Sequence, residues 1–304
     1  MLAEAHFRAI ALAPTVLGHL VDGGTVKHTT WTLSGFGDEI DPDPLVQVAV
    51  LQALGARHIE VRSAWRTNVI DLDAEQLDRL AAILKARDMG VSAIASPIGK
   101  VDVSLPVEHE VERLARAIAA AQRLGCRYIR VFSFFRGEGV AVEGIRDDVL
   151  IRMRALASLA EREGVVLLHE NEKDIYGDVP ERVLDIIESV GSEALRFAWD
   201  SANFVQVGVR PFTEGYALLR PHLEYLQVKD AVAATGAVVA AGAGDGELVE
   251  TLAALRDDGY TGFASLEPHL IDFSQTGGFS GPALFGEAAR AFRGLTGDLG
   301  VVLA

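Results

Sequence analysis

Four short apolar runs in the second half of the chain each end in an acid. They read His169-Glu170-Asn171-Glu172, Trp199-Asp200-Ser201-Ala202-Asn203-Phe204, Gln227-Val228-Lys229-Asp230 and Ser265-Leu266-Glu267-Pro268-His269. A carboxylate at the buried end of a strand is costly unless it is paired or bound to a metal. Several at one mouth repel one another by some kcal/mol at short range. A divalent cation removes that repulsion, and oxygen ligands favour Mg²⁺ or Mn²⁺ over a thiolate-seeking metal. Taken singly, each acid has another use as a helix N-cap or a surface group, and Asp230, followed by a loop, is open to that reading. Their convergence from adjacent strands is what argues for a shared site.

The elements that must position these residues form a repeating beat. From Thr29 onward, short β-branched or aromatic runs alternate with stretches of helical period, such as Val46, Ala49, Val50, Ala53 and Leu54. The spacing predicts eight strands: 32–36, 58–62, 91–96, 128–133, 165–170, 196–200, 225–230 and 263–267. Glycines 55, 90, 125, 164, 191 and 259 stand where the helices should stop, since glycine takes the left-handed turn at no steric cost. Most of the strands are continuous apolar runs, as in a parallel sheet buried on both faces. The expected class is α/β, a closed eight-stranded parallel (β/α)8 TIM barrel over residues 29–304, with active-site residues at the C-terminal strand ends. A doubly wound open sheet competes, but its G-x-G-x-x-G turn is not matched by Ser34-Gly35-Phe36-Gly37-Asp38-Glu39.

Composition agrees and excludes. The chain has 304 residues, 49% apolar, with a net charge of −15, enough for a sizeable core and against a nucleic-acid-coating protein. The single cysteine, Cys126, excludes a disulfide framework and a Cys-rich metal site, and is expected to be inert. No apolar run spans a membrane. Residues 1–28 fit the repeat poorly. The mildly apolar 9–20 stretch is broken by Pro14 and Gly18, and Arg8 is the sole Lys or Arg ahead of it, which argues against a signal peptide. A non-core extension is expected there, with Val26 as an alternative translation start, and a cytoplasmic location follows as the default.

In this order, and at strand–helix spacing, the motifs resemble the xylose-isomerase-like superfamily of sugar phosphate isomerases and epimerases, from about Thr32 to Leu284. The strand-end acids carry the resemblance together with Leu33-Ser34-Gly35-Phe36, Glu60-Val61-Arg62 and Gly242-Ala243-Gly244-Asp245-Gly246. It implies one divalent metal held by Glu170, Asp200, residue 227 and Glu267, and proton exchange next to a carbonyl between Glu170 and Glu267. Two positions depart from the family: Gln227 stands for the usual histidine, and Asn203 for a second histidine. The amide of Gln227 can ligate through its oxygen, more weakly than imidazole, which leaves a harder Mg²⁺- or Mn²⁺-like site or a lost metal.

Other residues have both a functional and a plain reading. Arg62, Trp65 and Arg66 can grip a phosphate or carboxylate and a sugar face, or form a surface cation–π pair. Phe134 and Phe135 can line a pocket, while Phe132 fits core packing. Lys229 can meet an anionic substrate group, or pair with Asp230 or Glu39. Glu172 shares the strand face of Glu170, and His269 can fall in the mouth or lie exposed on a loop. His169 should point away from Glu170 into the layer between strand and helix. The glycine run 242–246 can cradle an anion with backbone N–H groups, or simply make a tight loop.

The expected function is a metal-dependent isomerase or epimerase acting on a sugar, sugar phosphate or polyol. A ketose or inosose dehydratase is its neighbour, because both reactions begin with the same proton abstraction. A metal-free sugar-binding barrel is motivated by Gln227 and Asn203. An abasic-site endonuclease ranks below, since of eight histidines just His169 and His269 lie beside a strand-end acid. A small carbohydrate is the expected partner, with no nucleic acid or membrane, and the resemblance adds a possible homodimer or tetramer.

Overall fold

A computed structural model describes residues 29–270 and 280–304; the extension expected over residues 1–28 lies outside the described residues. The strands of the main sheet are β1 (Thr29–Gly35), β2 (His58–Val61), β3 (Gly90–Ile94), β4 (Tyr128–Val131), β5 (Val166–Glu170), β6 (Leu195–Asp200), β7 (Leu223–Val228), β8 (Phe263–Leu266) and β9 (Val301–Leu303). The principal helices are α1 (Pro44–Ala53), α2 (Ala74–Ala86), α3 (Val107–Leu124), α4 (Arg146–Glu163), α5 (Pro180–Val190), α6 (Ser201–Gln206), α7 (Leu248–Asp257) and α8 (Gly281–Asp298). Among the described residues, no helix is long and apolar enough to cross a membrane.

The expected closed ring of eight strands is corrected. The sheet has nine parallel strands in the order β9-β1-β8-β7-β6-β5-β4-β3-β2, and its ladder stays open between the two ends. The C-terminus supplies the physical reason. Val301–Leu303 pair with Thr29–Trp31, and Ala304 exchanges backbone hydrogen bonds with Trp31 and Leu33. This tail takes the lower part of the β1 edge that a closed ring gives to β2. Farther along, β1 and β2 meet at one parallel bridge, Phe36 to Glu60.

Five of the six expected glycine stops are left-handed: Gly125, Gly164 and Gly191 as the helix caps, and Gly55 and Gly259 one residue past theirs. Gly90 is not: it opens β3, and Asp88, at φ 50°, turns the chain after α2.

Alternation along the strands divides the side chains between two faces. The outward face builds the main core, with Ile59, Val61, Val131, Leu167, Phe197 and Leu226. On the other face, Ala93, Leu168, Ala198 and Tyr225 form a small separate apolar cluster. Beyond that cluster, the same face carries buried polar groups, among them Glu60, Arg130, Glu170, Asp200, Gln227 and Glu267. An apolar floor therefore lies beneath a layer of charge.

Candidate active site

The ends of β5, β6 and β8 bring three acids together. Glu170 ends β5, Asp200 ends β6 and Glu267 follows β8; each is buried and offers an oxygen lying within 4.8 Å of the other two. Asn171 fastens two of these ends, because it donates to the Asp200 carbonyl at 2.9 Å and accepts the Asp200 N–H at 3.0 Å. The N-cap reading and the site reading of Asp200 both hold. Its Oδ1 accepts the Asn203 N–H at 2.9 Å and starts α6, while its Oδ2 faces the cluster. Asn203 Nδ2 in turn donates to Glu170 Oε1 at 3.2 Å.

The chain's own cations interleave with these acids. Lys229 Nζ lies 2.7 Å from Asp200 Oδ2 and 3.0 Å from Glu267 Oε2, so its partners are neither Asp230 nor Glu39. Arg130 Nη1 lies 3.1 Å from Glu170 Oε2 and 3.7 Å from Glu267 Oε1. Arg62 bonds Asp38, Glu39 and Glu267 at 2.8, 2.8 and 3.2 Å. Its guanidinium is thus engaged in bracing acids, not left open for a ligand. His269 bridges Glu39 at 2.8 Å and Glu267 at 3.3 Å, which places it in the mouth.

This arrangement drives the carboxyls apart. Burial, with Glu267 and Asp200 nearby, pushes Glu170 up to about 7 against the pull of Arg130 and Lys229. Burial also lifts Asp200, to about 6. Burial would raise Glu267 too, but Lys229, His269, Arg130 and Arg62 hold it well below the usual carboxylate range. Lys229 is held well above its ordinary value because the surrounding acids outweigh its burial.

Gln227 sits level with Asp200 on the neighbouring strand. Its Nε2 donates to Glu60 at 3.0 and 3.3 Å. Its Oε1 is buried and has no hydrogen-bond partner among the described residues. The three carboxylates offer an all-oxygen donor set that could hold a divalent cation, and Gln227, level with Asp200 on the next strand, carries a buried amide oxygen as the further oxygen donor such a hard ion takes.

Above the acids lies a cavity of about 180 Å³ whose lining includes Arg62, Lys100, Arg130, Glu170, Lys229 and Glu267. It shares Lys100, Glu172, Lys229 and His269 with a wider cleft of about 650 Å³ that also takes in Asn203, a size suited to a small ligand. Glu172 is at the mouth, paired with Lys100 at 2.7 Å. Two candidates are not brought there. Trp65 packs at the edge of the main core under Arg79. Phe134 is buried in that core; Phe132, two residues earlier, instead lies beneath Lys100 and Arg130. His169 points away from Glu170 as expected, yet neither ring nitrogen has a partner among the described residues, and burial lowers it to about 3. The backbone N–H groups of Gly242, Gly244 and Gly246 bind the Asp230 carboxylate, so the anion they cradle is the protein's own.

Sequence reasoning missed Arg130, Glu60 and Lys100 as site residues. Arg130 and Glu60 did leave a signal, because a charge inside an apolar strand needs a partner. Lys100 sits in a loop and left none.

A family model for the xylose isomerase-like TIM barrel matches residues 48–295. A 2-epi-5-epi-valiolone 7-phosphate 2-epimerase from Actinoplanes sp. is 34% identical over 232 residues, covering 75% of this chain and 80% of that protein. A D-tagatose 3-epimerase-like structure superposes with a TM-score of 0.71 at 14% identity, covering 88% of this chain and 98% of that one. A xylose isomerase-like TIM barrel protein from Mycobacterium smegmatis, in complex with magnesium, gives a TM-score of 0.65 at 19% identity, covering 89% and 98%. The two structures show the same fold.

Proposed function

The chain belongs to the xylose isomerase-like TIM-barrel family and is an enzyme of the isomerase/epimerase class, and from that premise we propose that it inverts a hydroxyl-bearing carbon next to a ketone in a phosphorylated cyclitol or sugar. The observation that carries this reading is the meeting of Glu170 and Glu267 at one buried cluster beneath an open cleft. Carboxyls in such unlike surroundings suit an acid and a base on opposite sides of one carbon.

In this mechanism one of the two glutamates removes the proton next to the ketone, and the other delivers a proton to the opposite face. Lys229 and Arg130 hold both carboxyls in place and stabilise negative charge as it develops. Asn203 keeps Glu170 oriented through its amide, and His269 and Arg62 do the same for Glu267. A divalent cation held by Glu170, Asp200, Glu267 and the Gln227 oxygen would polarise the ketone and acidify the adjacent C–H. Lys100, half-exposed at the mouth, is the cation that would meet an anionic substrate group, and the phosphate in the relative's substrate name favours a phosphorylated one.

The test is incubation of the purified chain in D₂O with ketose phosphates and phosphorylated cyclitol ketones. Inversion with one deuteron incorporated next to the carbonyl is expected. Loss of water to an unsaturated ketone would move the reading to dehydration, and no exchange with any of them would overturn it.

A further inference from the structure

We infer that Glu60 is a positioning residue that fixes the amide of Gln227, so that an oxygen rather than a nitrogen faces the carboxylate cluster. The inference rests on the proposed divalent-cation site and adds to it the group that sets its fourth donor.

Glu60 lies on β2, distant in the sheet order from Gln227 on β7. Its carboxylate nevertheless reaches Gln227 Nε2 with both oxygens, at 3.0 and 3.3 Å. Both residues are fully buried, so no solvent competes for the contact. Tyr225 Oη, two residues before Gln227 on the same strand, lies 2.9 Å from Glu60 Oε2 and 2.9 Å from Ser92 Oγ, and gives the carboxylate a second fixed contact. In this contact the Glu60 oxygens are the acceptors and the NH₂ end of the amide is the donor. The amide is planar, and the oxygen is therefore turned away from Glu60. That oxygen is the buried atom with no partner, on a residue level with Asp200. An outer carboxylate that orients a ligand is a recurrent device where the ligand is histidine. Here the same brace presents a carbonyl oxygen, which suits Mg²⁺ or Mn²⁺ better than a nitrogen-seeking ion.

Mn²⁺ binding to the full chain, measured by titration calorimetry and by the EPR signal of free Mn²⁺, tests this without any turnover. Wild type should take up one Mn²⁺. Glu60→Gln offers donor and acceptor alike and releases the amide; binding should weaken about 10- to 100-fold. Gln227→Leu should weaken it comparably, and the double variant no further than Gln227→Leu alone, because Glu60 acts through Gln227. A purely structural role would instead give losses that add. Tyr225→Phe keeps the ring and removes one hydrogen bond from the carboxylate; a loss of about threefold is expected, and it serves if Glu60→Gln does not fold. Wild-type affinity in a folded Glu60→Gln, or in Tyr225→Phe should that variant alone fold, overturns the inference and leaves the cation site standing. Additive losses overturn it as well. No Mn²⁺ uptake by wild type overturns both.

Discussion

Lys229 Nζ lies 2.7 Å from Asp200 Oδ2, and both side chains are buried. The acids at the strand ends are therefore not left to repel one another: Lys229, Arg130 and Arg62 already stand among them. Breaking a buried pair by removing one partner typically costs about 3–5 kcal/mol, because the other charge is stranded. Lys229→Met should lose that much in urea unfolding at neutral pH. Millimolar Mn²⁺ should restore part of it, since an added cation replaces the lost charge. A loss of stability indifferent to Mn²⁺ would count against the carboxylates as a cation site.

The two glutamates should be separable by isotope exchange. Glu170→Gln and Glu267→Gln are each expected to slow epimerisation by about 10²–10⁴-fold. Each variant should still exchange deuterium into the epimer whose proton the surviving glutamate removes, and the two should retain opposite epimers. If both lose exchange from both epimers, a two-base inversion is wrong.

Glu39 should give the fold an acid-side dependence. Burial raises its carboxyl, but the hydrogen bond and charge of His269, together with Arg62, outweigh burial and hold it below 4.5. A carboxyl lowered on folding contributes stability that is fully present above its unfolded value and is lost as pH falls through the folded value. Glu39→Gln should therefore be less stable than wild type at pH 7, with the gap closing as pH drops below 4.5. Urea unfolding at a series of pH values checks this, and a constant gap would refute it.

The sequence made the strand ends legible because period and glycine placement locate where each strand stops, and residues at a barrel's C-terminal ends must converge. Glu170, Asp200 and Glu267 meet for that reason. Partners were harder to read. Arg62 looks like a phosphate fork until Asp38, Glu39 and Glu267 are seen around it, since residue type reports donors and not what occupies them. The glycine run 242–246 is similar, its N–H groups being taken by Asp230. Val301–Leu303 is too short to show a period, so the ninth strand, and the open ladder it causes, left no pattern to find.

Lys100 owes its place at the mouth to the glycine before it. Gly99 has φ +84°, and a Cβ there would lie 2.1 Å from the Phe132 carbonyl oxygen. Its carbonyl accepts the Phe134 N–H, and the Phe132 N–H donates to Ile98, so the loop is laced to the chain beyond β4. That lacing holds the Lys100 ammonium 4.3 Å from the Phe132 ring centroid and 2.7 Å from Glu172. Gly99→Ala should cost more than about 1 kcal/mol, because alanine fits neither the conformation nor the space. Lys100→Met keeps the backbone and should leave stability nearly unchanged. Both should raise KM for a phosphorylated substrate more than they lower kcat, since a mouth cation binds substrate and transition state alike. Should Lys100→Met leave KM unchanged while Gly99→Ala raises it, the loop's shape matters to the site and the ammonium does not.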